Sequence, residues 1–147
     1  MILPGEVVPS NMRMTGIEWV VEAYGCRESA LADLELMRSF FERLIGETSL
    51  FPVGRTMWHQ FPETGGITGL CLLAESHLAC HTFPEHGSLC LNLFCCRPRP
   101  EWDFASGLKA GFGASEVRVR RLERPYEFHE RNRELPELRR TDPVPLV

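Results

Sequence analysis

The stretch richest in chemistry is Leu72-Leu73-Ala74-Glu75-Ser76-His77-Leu78-Ala79-Cys80-His81-Thr82-Phe83-Pro84-Glu85-His86-Gly87. A Glu-Ser-His triplet interrupts an apolar run, a second histidine stands five residues beyond the serine, and a Pro-Glu-His-Gly turn closes the segment. These types supply a hydroxyl nucleophile, carboxylates, and imidazoles that are neutral near pH 7 and able to take a proton. Polar groups inside an apolar strand are expensive unless they are paired. On composition alone two readings stay open: a buried, satisfied polar cluster, or a catalytic one.

The flanking pattern says what must position these residues. Residues 16–24 read as a first strand. Ser29 is placed to cap a helix to about Ile45, with Leu31, Leu34, Met37, Phe41, Leu44 and Ile45 on one face. That stripe reads as core. Residues 49–60 give a weaker strand signal, interrupted by Pro52 and Gly54, and 62–66 read as a turn. Strands are then predicted over 67–74, 76–83 and 88–95, a second helix over 102–112, and a last strand over 116–123. The order β-α-β-β-β-β-α-β predicts an α+β fold, a two-layer sandwich with a mainly antiparallel sheet and two helices on one face. The other face is left bare, and an apolar bare face predicts pairing into an αββα dimer.

The string Glu-Ser-His-Leu…His-Thr-Phe-Pro-Glu-His-Gly resembles the cleavage and active-site signature of bacterial and archaeal S-adenosylmethionine decarboxylases, which carry Trp where Phe83 stands. The resemblance extends over roughly residues 16–126, through Val21-Glu22-Ala23-Tyr24-Gly25-Cys26, His59-Gln60-Phe61, Gly66-Ile67-Thr68-Gly69 and Leu93-Phe94-Cys95-Cys96. It implies a proenzyme that cuts itself between Glu75 and Ser76 into 1–75 and 76–147, with Ser76 becoming a pyruvoyl cofactor that forms a Schiff base with the substrate amine. By the same resemblance His81 is the processing base, Thr68 assists processing, and Cys96 is the proton donor. Phe61, from the other subunit, and Phe83 sandwich the adenine of S-adenosylmethionine, and Glu85 binds its ribose. The implied role is to supply an aminopropyl donor for spermidine synthesis, as a homodimer or a dimer of cleaved heterodimers. Strict strand alternation puts Ser76 and His81 on opposite faces, so a bend or bulge must bring them together, or His81 acts on the rearranged ester.

The chain also departs from the family. Thr68 stands for Ser, Glu18-Trp19 for His-Leu, Asn92 for Asp, and Cys80 and Cys95 for β-branched residues. These changes bear on substrate more than on mechanism. One alternative keeps the self-cleavage but acts on arginine or ornithine, with Glu18 meeting the distal cation. Another is an uncleaved binding or regulatory homologue.

Composition bounds the rest. The 147 residues, 44% hydrophobic and 24% charged, suit one globular domain, with a leader over 1–15 and a charged, proline-bearing tail over 127–147. A net charge of −4 gives no nucleic-acid footprint; Arg118, Arg120 and Arg121 read as a solvated strand face. No apolar run approaches a membrane span and no signal peptide is apparent, so the expected compartment is the cytoplasm. The six cysteines lack C-x2-C spacing, so no metal site is predicted and most are read as core.

Overall fold

The computed structural model of the chain describes residues 15–126. The expected leader, apart from Thr15, and the expected tail lie outside those residues. Six strands are formed: β1 (Thr15–Tyr24), β2 (Met57–Gln60), β3 (Ile67–Leu73), β4 (Ser76–Phe83), β5 (Ser88–Cys95) and β6 (Glu116–Pro125). They make one sheet in the order β2-β3-β4-β5-β1-β6, and every neighbouring pair is antiparallel.

Alternation of burial sorts the two faces. Val21, Leu78, Leu89, Leu91 and Leu93 point to one side and are buried, whereas Leu70, Leu72, His81 and Phe83 point to the other and are exposed. The buried side carries the helices α1 (Glu28–Leu31), α2 (Leu34–Glu47) and α3 (Phe104–Phe112). Phe41 of α2 packs on Trp58 of β2, Phe40 packs edge-on to Phe112 of α3, and Phe104 meets Trp19 of β1. The fold is thus α+β and two-layered, with no helix on the second face among the described residues.

Three expectations about the elements are corrected. The single helix from Ser29 is two: Asp33 adopts an extended backbone and its side chain accepts from the Leu36 amide at 3.0 Å, starting α2 afresh. The break leaves carbonyls that Thr82 Oγ1 (to Leu31, 2.8 Å) and Gln60 Nε2 (to Ala32, 2.7 Å) satisfy. The strand read over 49–60 shrinks to Met57–Gln60 plus an isolated bridge from Pro52 to Leu73, because proline cannot donate to a ladder. The second helix begins at Phe104 rather than at 102, capped by Asp103, which accepts from the Ser106 amide at 3.0 Å.

Candidate active site

The turn between β3 and β4 holds the Glu75–Ser76 peptide. Ser76 pairs with Cys95 on β5 and with Leu73 on β3 and shares the buried side of the sheet. Its hydroxyl is shut from water and makes no hydrogen bond. The Glu75 carbonyl, by contrast, is doubly held: the Cys96 amide donates to it at 3.2 Å, and the Cys96 thiol donates to the same oxygen. Two donors on one carbonyl oxygen is the arrangement that stabilises a developing oxyanion. The Glu75 carboxylate is ion-paired with Arg99, with Arg97 at 4.0 Å.

The other predicted residues gather at the opposite end of the β3–β4 hairpin. Thr68 and His81 are cross-strand partners, with Thr68 Oγ1 3.0 Å from His81 Nδ1. Phe61 follows β2, packs edge-on against His59 with ring centroids 4.7 Å apart, and donates its amide to Gly66 O at 2.8 Å. Phe83 ends β4, and Glu85 lies in the 3-10 turn Pro84–His86 that follows. Phe61, His81, Phe83 and Glu85 are all exposed. Gly66 is packed tightly enough that a Cβ there would sit 2.8 Å from Thr82 O. This close approach holds Gly66, the hydrogen-bond partner of Phe61, against the end of β4. Phe61 and Phe83 both stand at this end of the chain's sheet.

The structure brings together Glu75, Ser76 and Cys96 at one end and Thr68, His81, Phe61, Phe83 and Glu85 at the other, but it does not join the two groups. The β3–β4 register runs unbroken from Leu73↔Ser76 to Thr68↔His81, and β4–β5 runs unbroken from Ser76↔Cys95 to Phe83↔Ser88. No bulge exists to bend His81 toward Ser76. Five strand residues at ~3.3 Å each separate them by roughly 16 Å. The expected bend is overturned, and alternation stands: the hydroxyl lies on the buried side and the imidazole on the bare one.

Between the two groups the bare face carries a polar chain. His77 Nε2 donates to Asn92 Oδ1 at 2.7 Å, and Asn92 Nδ2 donates to Glu18 Oε1 at 2.7 Å. Arg124 donates to the other Glu18 oxygen. The Asn92 amide, with Arg124 adding to it, holds the Glu18 carboxyl below its usual value against the opposing effect of burial. Arg120 pairs with Glu22 in the same strip, so the arginines read as a solvated face are partly counter-ions to β1.

Most cysteines behave as small hydrophobes. Cys26, Cys71, Cys80 and Cys95 are buried, and burial pushes the Cys80 thiol up to about 12. Burial also raises the Cys95 thiol. Cys96 is half-buried. Among the described residues no cluster of His, Cys, Asp or Glu could hold a metal ion, and no helix is long and apolar enough to cross a membrane. Arg97 and Arg99 were invisible to pattern reading: Cys-Arg-Pro-Arg-Pro reads as a chain break, and its pairing with Glu75 exists only once β5 is docked on β4.

An antiparallel sheet with two donors on the carbonyl of one hairpin turn, beside a buried serine hydroxyl, defines a fold with a candidate self-processing site. Comparison with known sequences then gives the family. A sequence model of the S-adenosylmethionine decarboxylase family matches residues 17–125. The S-adenosylmethionine decarboxylase proenzyme of Acidithiobacillus ferrooxidans is 33% identical over 115 residues, 77% of this chain and 84% of that protein. The proenzyme of Archaeoglobus fulgidus is 37% identical over 83 residues, 56% of this chain and 72% of its own length. The crystal structure of the adenosylmethionine decarboxylase from Aquifex aeolicus superposes with a TM-score of 0.65 at 22% identity, over 81% of this chain and 98% of that one. The chain belongs to the S-adenosylmethionine decarboxylase family.

Proposed function

We propose that the chain is a proenzyme that cuts itself at Glu75–Ser76 and then, as a carboxy-lyase, decarboxylates S-adenosylmethionine to its aminopropyl-donor product. The observation that carries this reading is the Glu75 carbonyl held by the Cys96 amide at 3.2 Å and by the Cys96 thiol, next to a buried Ser76 hydroxyl with no other partner. An unpartnered buried hydroxyl is costly to stability and is suited to nucleophilic attack. In that attack Ser76 Oγ bonds to the Glu75 carbonyl carbon, the C–N bond breaks, and the hydroxyl proton passes to the amine nitrogen. Removal of the Ser76 α-proton then expels Glu75 as a carboxylate, and hydrolysis with loss of ammonia leaves a pyruvoyl group at the start of fragment 76–147. The residues present fit that origin. Once formed, the group supplies an electrophilic carbonyl and an electron sink for loss of carbon dioxide.

The remaining roles belong to side chains. Cys96 donates the proton that replaces carbon dioxide. Phe61 and Phe83 stack the adenine, and Glu85 accepts from the ribose hydroxyls. His81, oriented by Thr68, is the base of processing. Since His81 stands roughly 16 Å from its own Ser76, it takes the backbone α-proton of a second copy's Ser76, whose hydroxyl faces the helices and is not its target. A two-fold axis running across the strands stacks the bare faces and lays the Ser76 end of one sheet over the His81 end of the other. Met57, Leu70 and Leu72, between 41% and 65% exposed on that face, give such a stack its apolar contact. In this αββα pair Phe61, Phe83 and Glu85 come with His81 from the partner.

Glu18 weakens the reading as an arginine or ornithine decarboxylase. Both of its oxygens are already taken, by Asn92 and by Arg124, so it offers no free carboxylate to a substrate cation. Intact mass of purified protein tests the reading: wild type yields fragments 1–75 and 76–147, and Ser76→Ala remains whole and folded. Carbon dioxide release from S-adenosylmethionine, arginine and ornithine then separates the substrates. A cleaved Ser76→Ala chain removes the assignment of the site.

A further inference from the structure

Arg99 is oddly placed for a surface arginine. Its side chain is only 16% exposed, its guanidinium lies 5.8 Å from the Phe51 ring centroid, and its Nε is buried with no hydrogen-bond partner. Burying a guanidinium and orphaning one of its donors costs stability, so packing does not account for the arrangement. The only carboxylate it meets among the described residues is that of Glu75, the residue whose carbonyl is attacked. Arg97, 75% exposed and 4.0 Å from the same carboxylate, is too solvated to contribute much.

Resting on the proposed self-cleavage, we infer that Arg99 is a positioning residue of the scission step. Two consequences follow from its contact with Glu75. The Glu75 side chain is anchored on one flank of the peptide while Cys96 holds the carbonyl on the other, so the carbonyl cannot rotate away from the Ser76 hydroxyl. The carboxylate is also neutralised. Attack by Ser76 Oγ places negative charge on the Glu75 carbonyl oxygen, and a bare carboxylate on the same half-buried residue would oppose that charge. Arg99 touches no reacting atom; it acts through the Glu75 side chain, and no group other than water enters the balance of the reaction.

A double-mutant cycle on the cleavage rate tests this. Freshly synthesised full-length precursor is followed by denaturing gel and intact mass for wild type, Arg99→Met, Glu75→Gln and the double variant. Misplacement of a reacting group by about 1 Å can cost on the order of 100-fold, so Arg99→Met should slow cleavage at least about 10-fold. In the Glu75→Gln background, where no carboxylate needs a counter-ion, the same Arg99 change should cost less than about 3-fold. Arg99→Lys should recover part of the rate, since it keeps the charge and loses the fork. Equal slowing in both backgrounds would make Arg99 a structural residue, and unchanged cleavage of Arg99→Met would remove it from the step. If Arg99→Met fails to fold, Arg99→Lys with and without Glu75→Gln carries the same comparison. Failure of wild type to cleave refutes the proposed function instead, so the two failures are distinguishable.

Discussion

Replacing His81 by alanine in one chain and Ser76 by alanine in another separates the two ends of the hairpin genetically. The unbroken ladder from Leu73↔Ser76 to Thr68↔His81 holds the two residues roughly 16 Å apart along β4 in any single chain. Neither variant should cut itself as a homodimer. In a heterodimer, the His81→Ala chain keeps its serine and faces the partner's intact histidine, so that chain alone is cut. The Ser76→Ala chain stays whole. Random pairing makes about half of the dimers mixed, each with one competent site of two, so activity should return to roughly one quarter of wild type. Distinct affinity tags at the two C-termini let the heterodimer be isolated and the cut chain be identified by mass. A heterodimer of verified composition in which neither chain is cut would refute the trans arrangement, since it would mean that each histidine serves its own serine.

Three further outcomes are expected. Cys96→Ala removes the thiol but keeps the amide on the Glu75 carbonyl, so it should still self-cleave, more slowly, and decarboxylate ~10²–10⁴-fold less well; turnover within a few-fold of wild type would make the thiol a packing group only. Thr82→Val orphans the buried Leu31 carbonyl and Ile67 amide, each bonded to the Thr82 hydroxyl at 2.8 Å, and should lower stability by roughly 1–3 kcal/mol per orphaned group, read from the urea midpoint. Glu18, held below its usual 4.5 chiefly by the Asn92 amide, contributes stability that is complete above the unfolded-state value and lost as pH falls through the lower folded-state value; Glu18→Gln should therefore flatten the melting temperature against pH below about 4.5.

Much of the sheet is legible in the sequence because alternation over 67–83 and 88–95 is regular and punctuated by Pro84 and Gly87. The catalytic string is legible only through its resemblance to a family, since composition cannot tell a satisfied buried cluster from a reactive one. What escapes is whatever depends on distant contacts. The break at Asp33 is underdetermined because Leu31 and Leu34 both fit one helical stripe, and the carbonyls it frees are satisfied from β4 and β2. Alternation shows that Ser76 and His81 face opposite ways, but whether a bulge relieves this depends on register, and register is set by the whole sheet. The Arg99–Glu75 pair joins residues 24 apart in sequence, with no local signal that the two meet.

The strand order carries a consequence for what the cut leaves behind. The proposed cut would leave β1, β2 and β3 in fragment 1–75 and β4, β5 and β6 in fragment 76–147, yet β1 lies between β5 and β6. The products of scission are interleaved like the fingers of two hands rather than laid side by side. Neither can depart without stripping a ladder from both edges of β1, so a broken peptide bond costs the native assembly little. Denaturation is another matter: it sets two separate polypeptides free, and their reunion is a bimolecular search whose yield falls with dilution. The proposed scission would thus work as a one-way valve in which the precursor finds the fold as a single thread and the mature pair inherits it.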